Sequence, residues 1–188
     1  MSNNLSLIGI IGSLRSTSVN AATARAAVAA VPDGVTLSLH DVADVPLYNG
    51  DTEQAGLPPS VAELHDVVGA ADGLMLFSPE YNGSFPAVTK NVIDWLSRPP
   101  RRWERKPVTL IVTSPGPRAG KGLRRHFSDI MAFQPIRLFD TQGIGGYGDK
   151  IDEHGALVDP ETIAGLTDFI WRFAEFCRQV EPVEGERA

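Results

Sequence analysis

Apolar residues in this chain fall into short runs, separated by longer stretches in which they recur every three or four positions. That alternation is the pattern of an α/β fold. Leu5 to Ile11 predicts a first strand, followed by a polar, turn-rich segment from Gly12 to Ser18. Asn20 to Val31 predicts an alanine-dominated helix, since alanine is the best helix former and permits close approach to a sheet. Pro32-Asp33-Gly34 ends that helix, and Val35 to His40 reads as the second strand. Asp41 to Pro59 is a long irregular stretch with two proline-containing breaks, and loops of this length are more often functional than idle. A helix over Ser60 to Ala70 leads to a buried third strand, Gly73 to Phe77, and a loop from Ser78 to Pro86. Ala87 to Ser97 predicts the next helix, with Val88, Val92, Trp95 and Leu96 on one face. Beyond a basic connector, Arg98 to Lys106, come a fourth strand (Val108 to Thr113), a loop (Ser114 to Gly120) and a helix ending near Ala132. Ile136 to Phe139 is a short fifth strand, and Gly143 to Val158 reads as a glycine-rich surface loop. The last helix, Pro160 to Val180, carries Ile163, Leu166, Ile170, Phe173 and Cys177 in one stripe.

Five strands separated by helices predict a parallel sheet covered on both faces, because parallel crossovers bring helices with them. Ligands of such sheets sit beyond the carboxyl ends of the strands, near a topological switch point. The loops after the first, third and fourth strands are therefore the places to look for chemistry. The first, Gly12 to Asn20, offers hydroxyls, the Arg15 guanidinium and backbone N–H groups at a helix N-terminus, which together suit a phosphate. An N-cap at Ser18 or Asn20 explains the same residues without a ligand, so both readings stand. The loop fits neither glycine fingerprint: Gly9-x-x-Gly12 lacks the dinucleotide spacing, and no Gly-Lys-Ser/Thr follows. In the third-strand loop, Pro79 and Pro86 bracket an Asn82-Gly83 turn, where glycine lets a flat ligand approach the main chain. Tyr81 there suits an aromatic ring or a subunit contact, and a turn capping the Ala87 helix is the plainer alternative.

Composition narrows the picture. A net charge of −6, with 43% hydrophobic and 21% charged residues, is an ordinary globular balance and speaks against a general nucleic-acid binder. Cys177 is the only cysteine, which rules out an intrachain disulfide and a multi-cysteine zinc site. No apolar run approaches the roughly 20 residues of a membrane span, and Met1 to Ser6 lacks the basic start of a signal peptide. The expectation is one domain over 1–188 in a cytoplasmic protein, bound to neither membrane nor nucleic acid. Several weaker patterns are set aside. Gly116 to Gly122 resembles a P-loop but has one residue too few and no hydroxyl after Lys121. Asp149 to Gly155 misplaces the acids and glycine of a calcium loop. His40, His65, His126 and His154 show no ligand spacing, so no metal site is expected. The basic run Arg98, Arg101, Arg102, Arg105 and Lys106 around Trp103 reads as a solvated connector or a subunit contact.

Two motifs carry a resemblance. Gly-Ser-Leu-Arg-x-x-Ser-x-Asn at 12–20 resembles the phosphate loop of the NAD(P)H-dependent FMN reductase family. Ser-Pro-Glu-Tyr-Asn-Gly-Ser-Phe-Pro-Ala-Val-x-Lys-Asn-x-Ile-Asp-Trp-Leu-Ser-Arg-Pro at 78–99 is similar to the second hallmark of that flavodoxin-like group of quinone, chromate and azo-dye reductases. The resemblance implies a flavodoxin-like sheet of order 2-1-3-4-5 with FMN held non-covalently at the strand ends. It places Ser13, Arg15, Ser18 and Asn20 on the FMN phosphate, and Pro79, Glu80, Tyr81, Asn82 and Gly83 along the isoalloxazine edge. Ser114 and Gly116 become flavin-ring neighbours, although Pro117 and Arg118 depart from the glycine-rich segment often found there. Arg118 and Lys121 either reach a second nucleotide or form an exposed helix face, and the exposed face is favoured. The implied activity is hydride transfer from NADPH or NADH through flavin N5 to a flavin, quinone or similar acceptor. No catalytic side chain is assigned. The resemblance also implies a homodimer or homotetramer, shaped by the helix near Trp95 and the loop after the second strand. A flavodoxin-type electron carrier and a flavin-binding regulatory protein are the competing classes.

Overall fold

The computed structural model describes residues 4–180. Five parallel strands, β1 (Leu5–Ile11), β2 (Val35–His40), β3 (Gly73–Phe77), β4 (Pro107–Thr113) and β5 (Arg137–Ile144), form one sheet of order β2-β1-β3-β4-β5. This is the flavodoxin-like order expected from the sequence. Six α-helices accompany them: α1 (Val19–Ala29), α2 (Gly50–Ala55), α3 (Pro59–Ala70), α4 (Ala87–Leu96), α5 (Lys121–Met131) and α6 (Pro160–Gln179).

Strand side chains alternate between the two faces with a period of two, and the core divides accordingly. Ile8 and Ile10 of β1, Leu74 and Leu76 of β3, and Leu110 and Val112 of β4 pack with α3, α4 and α5. Leu5, Leu7, Met75, Phe77 and Ile111 point the other way, toward α1 and α6. Small residues set how closely the helices lie. Ala24 and Ala27 of α1 are fully buried against the sheet. A β-carbon on Gly73 would come within 2.7 Å of the Cys177 sulfur on α6. Burial pushes the Cys177 thiol well above its usual range, so it is an inert core residue.

The structure refines the sequence reading in four places. The long stretch after β2 contains α2, which has Asn49 as its N-cap and buries none of its residues. Without an apolar stripe it leaves no helical signature in the sequence. The fifth strand runs on past Phe139 to Ile144, since its polar residues sit on an edge strand that need bury little. Trp103 is fully buried in the α3–α4–α5 core, so the basic connector is anchored by its one aromatic residue while Arg101, Arg102 and Arg105 stay at the surface. The loop after β5 folds back on itself through a bridge between Ile151 and Leu157, and Leu157 is buried against α6.

β1 is flanked by β2 on one side and β3 on the other, so the chain reverses its direction of winding between them. That places the switch point at the carboxyl ends of β1 and β3, where the first and third loops emerge.

Candidate functional site

The strand after Ile11 turns sharply at Gly12, whose N–H donates to the Phe77 carbonyl at 2.7 Å. Only glycine fits there: a β-carbon would lie 2.0 Å from Thr89 Oγ1, which shares a 2.7 Å hydrogen bond with the buried Ser78 hydroxyl. The chain then runs outward through Ser13 to Thr17 and enters α1. Ser18 is the N-cap, its hydroxyl accepting from the Ala21 N–H at 3.3 Å and its N–H donating to Arg15 O at 3.1 Å. The N–H groups of Val19 and Asn20 remain at the open end of the helix, where no intrahelical carbonyl is available to them. They form an electropositive cradle together with the helix dipole. The N-cap reading of Ser18 is thus observed, and the cap also fixes the open N–H groups in place.

Asn20 serves the cradle differently. Its Nδ2 donates to the Thr113 carbonyl at 3.2 Å, and its Oδ1 accepts the Thr113 N–H at 3.0 Å. The amide acts as one more strand rung and ties α1 to the end of β4. Thr23 supports it through a 2.8 Å hydroxyl contact with Thr113. Asn20 is buried, so its function is to position the loop, with its remaining polar surface at the cavity wall.

The third loop is a two-residue hairpin. Tyr81 and Ser84 exchange backbone hydrogen bonds at 3.0 and 2.9 Å, and Asn82 and Gly83 take φ of 53° and 76°. Positive φ at both central positions is what a tight hairpin turn of this hand demands, which explains the Asn-Gly pair. The hairpin is fastened to α5 from both ends. Glu80 accepts the Leu123 N–H at 2.7 Å, capping a helix whose own N-cap, Gly120, has no side chain to offer. Ser84 Oγ lies 2.8 Å from His126 Nδ1, and Phe85 packs tilted against the His126 and Phe127 rings. At the join, a β-carbon on Gly122 would meet the Gly83 carbonyl oxygen at 2.9 Å.

These loops enclose a cavity of 210 Å³. Of the residues expected from the sequence, Ser13, Arg15, Ser18 and Asn20 line one side of it, and Pro79, Glu80, Tyr81 and Ser114 the other. Asn82, Gly83 and Gly116 lie outside its wall. Nothing stands within 4 Å of where a side chain on Gly83 or Gly116 would begin, so both main chains are open to approach. Arg118 and Lys121 are exposed and take no part in the wall. The residues assigned from the sequence did not include Thr17, Val19, Thr113, Pro115 and Tyr147, which also line the wall. Tyr147 comes from the glycine-rich segment after β5, where Gly146 at φ 60° turns the chain inward. A lone aromatic residue among glycines at 145–148 was the available signal.

The donor set fits a flavin mononucleotide. The loop before α1 brings to the cavity the Ser13, Thr17 and Ser18 hydroxyls, the Arg15 guanidinium and the α1 N-terminus, the groups that bind a phosphate dianion. The loops after β3, β4 and β5 add flat surfaces from Pro79, Tyr81, Pro115 and Tyr147, which suit a planar ring. Among the described residues, no group of histidine, cysteine and acidic side chains is arranged to hold a metal ion.

Comparison with known proteins gives the same direction. The NADPH-dependent FMN reductase family matches residues 5–142. The chain is 35% identical over 162 residues to an NAD(P)H-dependent FMN reductase of Pseudomonas aeruginosa, covering 85% of this chain and 88% of that protein. It is 34% identical over 187 residues to a quinone reductase of Escherichia coli, covering 96% and 100% respectively. Among solved structures, the flavoenzyme NAD(P)H:(acceptor) oxidoreductase FerB of Paracoccus denitrificans superposes with a TM-score of 0.84 at 26% identity, over 94% of this chain and 98% of that one. The chain belongs to the NADPH-dependent FMN reductase family.

Proposed function

We propose that the protein is an FMN-dependent NAD(P)H oxidoreductase of quinones or similar small acceptors. The observation that carries this reading is a cavity whose wall combines a helix N-terminus and Arg15 with Pro79, Tyr81, Pro115 and Tyr147. When bound, FMN supplies the chemistry of accepting a hydride and passing electrons onward. The chain's own residues hold and orient. Arg15, Ser13 and Thr17 fix the phosphate end, while Asn20 keeps α1 in register with β4 through Thr113. The Asn82-Gly83 turn, next in the chain to Tyr81 of the cavity wall, would offer main-chain N–H groups as preorganised donors for negative charge. Its attachment to α5 through Glu80 and Ser84 keeps those donors in place. Were donor and acceptor to react in turn at the bound flavin, the kinetics would be ping-pong.

A flavodoxin-type carrier would use the same fold, but the relatives over most of this chain are reductases by name. Anaerobic stopped-flow mixing of the FMN-loaded protein with NADH and NADPH tests the reading. Rapid bleaching by either nucleotide and recovery on adding benzoquinone is the expected result. Flavin that stays oxidised with both would overturn it.

We read the chain as a single FMN-binding domain over 1–188, of which residues 1–3 and 181–188 lie outside the described residues. We also read it as a cytoplasmic homo-oligomer. No helix among the described residues is long and apolar enough to cross a membrane. The face offered for assembly is the one the family resemblance implies, the helix near Trp95 with the loop after β2. Trp95 Nε1 and Asn91 Nδ2 both donate to the Pro46 carbonyl, at 2.7 and 2.9 Å, strapping the loop after β2 onto α4. The strap leaves Leu47 75% exposed beside Tyr48, an arrangement suited to a second subunit. Sedimentation equilibrium should give a dimer or tetramer, and a monomer at micromolar concentration would contradict the assignment.

A further inference from the structure

A second cavity, of 340 Å³, lies across the Gly12–Ser18 loop from the first, on the β2 side. Its volume falls in the range of about 300–1,000 Å³ typical of small-molecule sites. Ser13 and Arg15 line both cavities, so the two are neighbours divided by the phosphate loop itself. Ile11, Leu14 and Leu39 make the second cavity largely apolar, and Leu14 and Leu39 are 58% and 36% exposed. Exposed leucines in a concave wall are a surface on which a flat base gains by burial. At the end of β2, Asp41 adds a carboxylate whose Oδ1 is held by the Ala43 N–H at 2.9 Å. A carboxylate fixed at the end of a strand, next to a phosphate loop, is a natural acceptor for ribose hydroxyls. It also disfavours any phosphate placed on that ribose.

We propose that this cavity is an adenosine subsite, taking the adenosine 5′-phosphate half of a dinucleotide. The phosphate meets Arg15 at the shared wall, the ribose meets Asp41, and the base lies against Leu14 and Leu39. The inference rests on the first cavity holding the FMN phosphate. Two dinucleotides carry this half. FAD is FMN extended through its phosphate by AMP, and the sharing of Ser13 and Arg15 between the two neighbouring cavities favours it. NADH is the other source, preferred over NADPH because of Asp41.

Fluorescence titrations of FMN and FAD, with steady-state kinetics for NADH, test the proposal on the wild-type protein, Leu39→Glu and Asp41→Asn. Both positions are at the surface, and Asp41→Asn keeps the acceptor for Ala43. Leu39→Glu should weaken FAD about tenfold, with FMN held within about twofold, because only FAD loses apolar burial. Asp41→Asn should weaken FAD about 3- to 10-fold, as expected for one altered hydrogen bond. If both flavins are unchanged and the KM for NADH rises at constant kcat, the subsite serves the nicotinamide nucleotide, and the proposal still holds. Unchanged FAD affinity and unchanged KM together would overturn it. So would equal losses for FMN and FAD, which would mean that the substitutions act on the flavin cavity. Failure of the underlying FMN reading shows separately, as a wild-type protein that takes up no FMN.

Discussion

Arg15 and Asn20 occupy the same loop-to-helix junction and divide its labour between charge and geometry. Arg15 is exposed and, among the described residues, its guanidinium hydrogen-bonds only to the Thr17 hydroxyl, at 3.5 Å, so it is at liberty to meet a phosphate. Asn20 is buried and its amide is committed to the Thr113 peptide group. Arg15→Ala should therefore weaken FMN about 10- to 100-fold, the scale of a charge-assisted hydrogen bond. Riboflavin, which has no phosphate, should be almost unaffected in the same fluorescence titration. Equal losses for both ligands would make Arg15 a structural residue of the loop.

At the level of elements, the hairpin after β3 and helix α5 behave as one unit. Glu80 supplies the cap that Gly120 lacks, and Gly122 permits the close approach of the two backbones. Removing the cap with Glu80→Ala should cost about 1 kcal/mol of stability, seen as a lower midpoint in urea denaturation with an unchanged slope. Glu80→Gln retains an acceptor for the Leu123 N–H and should recover part of the loss. A Glu80→Ala midpoint equal to wild type would show that the bond contributes nothing. This partnership was not legible in the sequence, because Glu80 and Leu123 stand far apart along the chain and a backbone donor leaves no side-chain signature. What was legible came from local rules. The parallel sheet followed from βαβ periodicity and its strand order from the family resemblance alone, the tight turn from Asn82-Gly83, and the open helix start from its hydroxyl residues. Tyr147 and the outer half of β5 were hidden for a shared reason: both lie in polar, glycine-containing sequence at the sheet edge, where burial imposes little pattern. Trp103 was hidden by its arginine neighbours, whose charge suggested a surface while the indole alone turned inward.

Across the whole molecule, one buried group couples stability to pH. His65 on α3 is buried with neither ring nitrogen hydrogen-bonded. Burial lowers its pKa from 6.5, and the nearby Trp95 main chain only partly opposes this. The folded protein thus keeps His65 neutral, while the unfolded chain takes up a proton as pH falls below 6.5. The corresponding stability is fully present above that pH and is lost progressively as the pH drops toward the lowered value of the folded state. His65→Met should flatten the acid side of the melting-temperature profile, the variant gaining on the wild type over the interval below pH 6.5. Profiles that stay parallel over that interval would remove His65 from the explanation.

The strand order has a consequence for the chain as it is made. β1 and β2 are adjacent in sequence and are both made before β3, yet β1 also needs β3 on its other side, and α2, α3 and the intervening loops must be synthesised before β3 exists. Throughout that interval the nascent β1–α1–β2 unit presents an apolar edge, Leu5 to Ile11, with unpaired backbone groups, the kind of edge that recruits other strands. The emergence of Gly73 to Phe77 closes it. The period between these two events is when the growing chain is most open to aggregation, and when a ribosome-associated chaperone has most to shield.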